Sequence, residues 1–98
     1  MIIINVSYTV KKEFVDENLE NIKAFISDLK AINNPDIRYH VYTTEDGKKF
    51  VHLSHYKDEK AQKQLLDLPS FKFFQDQRDR SGLETYPVVE KMELQVAL

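Results

Sequence analysis

His52, Ser54 and Tyr56 occupy every second position of one short run, and Tyr39 and Val41 do the same in a run just before it. Side chains two apart share one face of a β-strand. An imidazole between phenols suits proton abstraction from an activated phenol or enol, since free histidine titrates near ~6.5 and can act as a base at neutral pH. Tyr39 and Tyr56 are candidate donors to the developing oxyanion and can stack on a substrate ring, with Arg78 as a more distant charge partner. The plainer reading is that His52 only hydrogen-bonds Ser54 or a neighbouring tyrosine inside a half-buried sheet.

Positioning these groups falls to a β-hairpin. Asp46-Gly47 lies between two alternating runs, Ile37 to Thr44 and Lys49 to Tyr56, and suits a two-residue type I′ turn with positive φ at both positions. That turn pairs Val41 with His52, His40 with Leu53, Tyr39 with Ser54 and Arg38 with His55. Tyr39, Val41, Phe50, His52, Ser54 and Tyr56 then share one face. Upstream, Ile2 to Val10 alternates as a strand, and Leu19, Ile22, Phe25, Ile26, Leu29 and Ile32 recur at helical spacing until Asn33-Asn34-Pro35 ends the helix. Downstream, Ala61, Leu65, Leu66 and Leu68 form a second helical stripe up to Pro69. A shorter helix with Phe71, Phe74 and Arg78 follows, and after a loop through Tyr86-Pro87 a last strand is expected over Val88 to Leu98. The order β-α-β-β-α-β predicts one domain over residues 1–98. It is an α+β, ferredoxin-like fold with a four-stranded antiparallel sheet, the first and third strands central. The edge strands need cover, which a homodimer would supply.

Other chemistry finds less support. On the opposite face His40 and His55 lie diagonally across the hairpin, but only Glu90 and Glu93 could join them, on a strand across the sheet, so no metal site is expected. The two glycines, Gly47 and Gly82, form no phosphate-cradling loop. Ser54 has a nearby histidine but no acid to orient a triad. Zero cysteines rule out thiolate nucleophiles and disulfides and fit a reducing compartment, read as the cytoplasm. The apolar run Met1 to Ile4 is too short for a signal core or a membrane span. Fourteen basic against sixteen acidic side chains give a formal charge of -2, the wrong sign for nucleic acid or anionic membranes. The strand order also underlies RNA-recognition motifs, but their Lys/Arg-Gly-aromatic signature is missing because Gly47 lies in the turn.

Three features together carry a family resemblance over nearly the whole chain. One is the element order. The second is Phe50-Val51-His52-Leu53-Ser54-His55-Tyr56 running directly into Lys57-Asp58-Glu59-Lys60-Ala61. The third is the segment Leu66-Asp67-Leu68-Pro69-Ser70-Phe71-Lys72-Phe73-Phe74. The chain resembles the antibiotic-biosynthesis-monooxygenase-like branch of the dimeric α+β barrel superfamily. That resemblance implies a homodimer whose two sheets close into a barrel, with a small pocket between sheet and helices in each subunit. Tyr39, Val41, Phe50, His52, Ser54, Tyr56, Leu65, Phe71, Phe74 and Arg78 would line this pocket. Phe71, Phe73 and Phe74 are candidates for an apolar lid, or for plain core.

The family's enzymes oxidise polyketide-like aromatics with dioxygen and no cofactor, or degrade haem. Here the acidic residue common two places before the strand-ending aromatic is Ser54, that aromatic is Tyr56 rather than tryptophan, and a helix position often held by histidine or tryptophan is Leu65. No helical histidine exists to ligate haem iron. The expected activity is therefore a cofactor-independent monooxygenase acting on a small aromatic or polyketide-like molecule, with His52, Tyr39 and Tyr56 catalytic. The alternative is a small-molecule-binding protein of the same fold without catalysis.

Overall fold

The computed structural model describes residues 1–98. Its elements are β1 (Ile2–Val10), α1 (Val15–Ile32, entered through a single 3-10 turn at Lys12–Phe14), β2 (Ile37–Thr43), β3 (Lys49–Tyr56), α2 (Glu59–Leu66), α3 (Pro69–Gln77) and β4 (Leu83–Met92). They form one antiparallel sheet in the order β2-β3-β1-β4 with the helices on one face, the expected α+β architecture.

Helix ends follow local chemistry. Asn33 stops α1 in the left-handed region at φ 54°, its N–H donating to Leu29 O. Asp58 caps α2 by accepting from Ala61 N at 2.9 Å. Pro69 opens α3 at a position where its missing N–H costs no bond. A five-residue π turn, Arg78–Gly82, then joins α3 to β4. Gly82 is required there because a Cβ would stand 2.3 Å from the Phe14 ring.

The hairpin register is as expected, with Val41 opposite His52 and Tyr39 opposite Ser54. Its turn is not the two-residue bend. Thr44 N donates to Lys49 O across a four-residue loop, Gly47 N donates to Thr44 O, and Gly47 alone takes a positive φ, 71°. Asp46 accounts for the difference. Its Oδ1 accepts from Lys48 N, Lys49 N and the Thr44 hydroxyl, three bonds that a type I′ turn would not arrange. Both loops are symmetric about the same point, so every side chain keeps its face.

The last strand also differs. It begins at Leu83 and ends at Met92, with Tyr86-Pro87 inside it and Glu93 to Leu98 unpaired. Pro87 is tolerated because β4 is an edge strand and the pairing with β1 shifts between Ser7 and Thr9, which places Tyr86 and Pro87 together opposite Tyr8. Alternation continues past Met92, but the ladder with β1 ends at the pair of Ile3 with Met92.

The core lies between sheet and helices and holds Tyr8, Val10, Phe14, Ile22, Phe25, Phe50, Tyr56, Ala61, Leu65, Phe71 and Phe74. Phe25 of α1 meets Phe71 of α3 edge-on at 5.0 Å, which locks the two helices together above the sheet. The other sheet face is left without helices. No helix is long and apolar enough to cross a membrane.

Candidate functional site

Beneath the helices the sheet presents a histidine held on both sides. His52 is 2% exposed. Tyr8 Oη lies 2.7 Å from its Nε2 and Tyr39 Oη 2.7 Å from its Nδ1. β1 brings Tyr8, because Val6 pairs with His52 and Tyr8 with Phe50 on the same face. β2 brings Tyr39 through the hairpin register. A third polar residue closes the chain of contacts, as Asn18 Nδ2 of α1 donates to Tyr8 Oη at 3.1 Å.

These contacts assign the protons. A neutral imidazole offers one N–H and one lone pair. Tyr8 Oη already accepts from Asn18, so its own hydrogen goes to Nε2, and Nδ1–H donates to Tyr39 Oη. The reverse assignment leaves the Tyr8 hydrogen without an acceptor in a fully buried space. The result is a directed chain, Asn18 to Tyr8 to His52 to Tyr39, ending in a hydroxyl hydrogen on Tyr39 that has no protein acceptor.

Burial dominates the electrostatics. It pushes His52 down to about 3, and the nearby Arg78 charge adds to the effect. The imidazole is therefore neutral at rest throughout the physiological range, which corrects the expectation of a base titrating near neutrality. Burial also raises Tyr8 to about 12, offset in part by the Asn18 hydrogen bond and by Arg78. Tyr39 and Tyr56 are raised by burial as well. Arg78 is 8% exposed, with its guanidinium carbon 4.9 Å from the Tyr8 ring centre and 5.2 Å from that of Phe74, while Nε donates to Asp79 at 2.9 Å. A cation stacked on two rings and shielded from water is suited to opposing negative charge that develops nearby.

The residues singled out in the sequence separate into groups. Tyr39 and His52 are in contact. Phe74 stacks on the His52 ring at 5.4 Å, and Phe50 on Tyr8 at 5.7 Å. Leu65 and Phe71 are buried in the same core, whereas Phe73 is 55% exposed. Ser54 Oγ donates to Ile4 O at 3.4 Å rather than to the imidazole. Tyr56 is buried on the correct face but stands four residues along β3 from His52, roughly 13 Å at strand rise. The place beside Nε2 is held by Tyr8 instead. Val41 is half-buried at the rim.

Tyr8 and Asn18 escaped the sequence reading, although each left a signal. Tyr8 belongs to the apolar parity of β1. Asn18 is the one polar residue on the α1 stripe that continues through Ile22 and Phe25, and a fully buried amide on such a stripe has a partner to serve. Its Oδ1 finds none.

On the opposite sheet face, Arg38, His40, Tyr42 and His55 gather as expected, with His40 and Tyr42 stacked at 6.4 Å. No three His, Asp or Glu residues converge there or elsewhere in a way that could hold a metal ion. Tyr39 lines two surface depressions, and neither is lined by His52, Ser54 or Tyr56.

The family model described as antibiotic biosynthesis monooxygenase matches residues 1–77, which carry Tyr8, Asn18, Tyr39 and His52 and end one residue before Arg78. The chain belongs to that family. Solved structures agree in fold. An antibiotic biosynthesis monooxygenase superposes with a TM-score of 0.80 at 15% identity, covering 98% of this chain and 100% of its own. The Rv0793 protein of Mycobacterium tuberculosis gives 0.79 at 15% identity, with 98% and 96% covered. A conserved protein from Methanosarcina mazei Go1 gives 0.75 at 21%, with 97% and 95% covered. No curated protein matches the chain in sequence. At these identities the likeness shows the fold alone.

Proposed function

We propose that the chain is a cofactor-independent monooxygenase acting on a small aromatic or polyketide-like molecule with an acidic C–H or O–H. The observation that carries this reading is the buried, neutral His52 with a tyrosine hydroxyl 2.7 Å from each ring nitrogen. In the proposed reaction the free Tyr39 hydrogen bonds the substrate oxygen, and the substrate proton reaches His52 by relay: Tyr8 Oη takes it as the Tyr8 hydrogen moves onto Nε2. The resulting enolate and imidazolium stabilise each other in apolar surroundings, which offsets the burial that holds the resting imidazole near 3. The carbanion gives one electron to dioxygen, the radical pair combines to a peroxide, and loss of water leaves a ketone. A CH2 between two rings plus O2 thus becomes C=O plus H2O, and the substrate supplies all four electrons.

Incubation of anthrone with the protein under 18O2 tests this. The expected product is the 18O-labelled quinone, with kcat/KM falling at least tenfold in His52→Gln and Tyr39→Phe. Equal turnover by wild type and His52→Gln removes the mechanism.

A second reading, ligand binding without turnover, draws on the close packing of Phe74, Tyr8 and Tyr39 around the imidazole. Binding of the same compounds with no labelled product would favour it.

The same proposal includes a homodimer. The helix-free sheet face carries Ile3, Val51, Leu53, Val88 and Met92, and Val88 is 56% exposed. A second copy laid on this face would bury these side chains and shield the edges of the sheet.

A further inference from the structure

Two depressions lie along the seam between α1 and the edge strand β2, with volumes of about 310 and 440 Å³. They share Ile26, Lys30 and Tyr39, so they are halves of one groove. Its position follows from the packing. Phe25 of α1 meets both Phe71 of α3 and Tyr39 of the outermost strand edge-on, and beside that contact Ile37, Tyr39 and Val41 of this strand stay half-buried. Ile26 and Leu29 from α1 face Ile37, Tyr39 and Val41 from β2, all half-buried, so an apolar strip runs along the groove between polar residues that include Asn33, Asn34 and His40. The volumes are those of small-molecule sites, for which ~300–1,000 Å³ is usual. Tyr39 forms part of the groove wall, and its hydroxyl also meets His52 Nδ1.

Charge selects the ligand. The chain has more acidic than basic residues, yet no aspartate or glutamate lines either half of the groove. Lys23 at one end is engaged by Glu20 at 3.6 Å, whereas Lys30, common to both halves, has no carboxylate within ion-pair distance.

We propose that this groove binds flat apolar acids, with the ring body against Tyr39 and Ile26 and the carboxylate against Lys30. The inference rests on the reading that Tyr39 and His52 form the reacting pair, and it names the substrate class for that pair: an aromatic or polyketide-like carboxylic acid. An exposed lysine and a bound carboxylate attract each other modestly, so the expected preference for an acid over its neutral isostere is about two- to fivefold.

The test is an anaerobic NMR titration of the 15N-labelled protein with 2-naphthoate and, separately, 2-naphthamide. Both are expected to shift amide signals between Ile22 and Val41, the acid binding two- to fivefold more tightly. Lys30→Met should erase the preference while leaving the amide's affinity unchanged, Lys30→Glu should invert it, and Ser27→Trp, which fills the groove from an exposed helix position, should weaken both. The proposal is overturned if neither compound shifts the groove, or if the preference survives in Lys30→Met. The two readings fail separately, because acid-selective binding with no oxidised product counts only against the oxygenase, and turnover without acid preference only against the groove.

Discussion

Protonation of His52 supplies the sharpest test of the buried site. In the unfolded chain a histidine titrates near ~6.5. In the fold, burial first and Arg78 second hold it at about 3. Between those values the unfolded state binds a proton that the folded state does not, so stability is complete above the unfolded value and declines as pH falls toward the folded one. The slope is about 1.4 kcal/mol per pH unit, and from pH 7.5 to 5.0 the linkage amounts to about 2 kcal/mol. His52→Gln carries no titrating group at this position, while His40, His55 and every carboxylate remain. The quantity to measure is the difference in pH dependence between the two proteins, from urea denaturation at pH 7.5 and 5.0. With an m-value of about 1–3 kcal/mol/M, wild type should lose roughly 1 M more in midpoint than the variant. Parallel losses would mean that the folded imidazole accepts its proton as readily as the unfolded one, and the neutral, buried His52 on which the proposed chemistry rests would be refuted.

Two further outcomes follow from the geometry. Tyr8→Phe leaves both Nε2 and the Asn18 amide without partners in a sealed space, and should cost about 2–4 kcal/mol, while Tyr39→Phe removes one bond at a half-buried position and should cost about 1–2 kcal/mol. Equal losses in urea denaturation would contradict the directed chain from Asn18. Val88→Lys, on the helix-free sheet face, should leave the fold intact by circular dichroism and shift sedimentation from dimer toward monomer. A wild-type chain that sediments as a monomer at micromolar concentration would defeat the dimer itself.

Much of the fold was legible because its signals are local. Period-two runs marked β1 and the hairpin, helical spacing marked α1, Asn33-Asn34-Pro35 marked its end, and Pro69 marked the start of α3. Even the error at the turn did no damage, because register depends on the centre of symmetry of the loop and not on its length. The last strand was misplaced because alternation reports a side chain's preference for two environments, whereas a strand exists only where a neighbour offers backbone groups. β1 offers them from Ile3 to Val10, and so β4 runs from Leu83 to Met92.

The candidate site divides along the same line. Sequence alone put His52 and Tyr39 on one sheet face, since both belong to a hairpin whose register is set by nearby residues. Only the tertiary structure decided that the second hydroxyl on the imidazole comes from Tyr8 and not Tyr56, and that Asn18 orients it. Those residues are brought together by the pairing of β1 with β3 and by the packing of α1 over both, contacts between segments far apart in the chain. The same burial set the protonation state of His52, because desolvation depends on everything packed around a group and leaves no mark in the residues beside it.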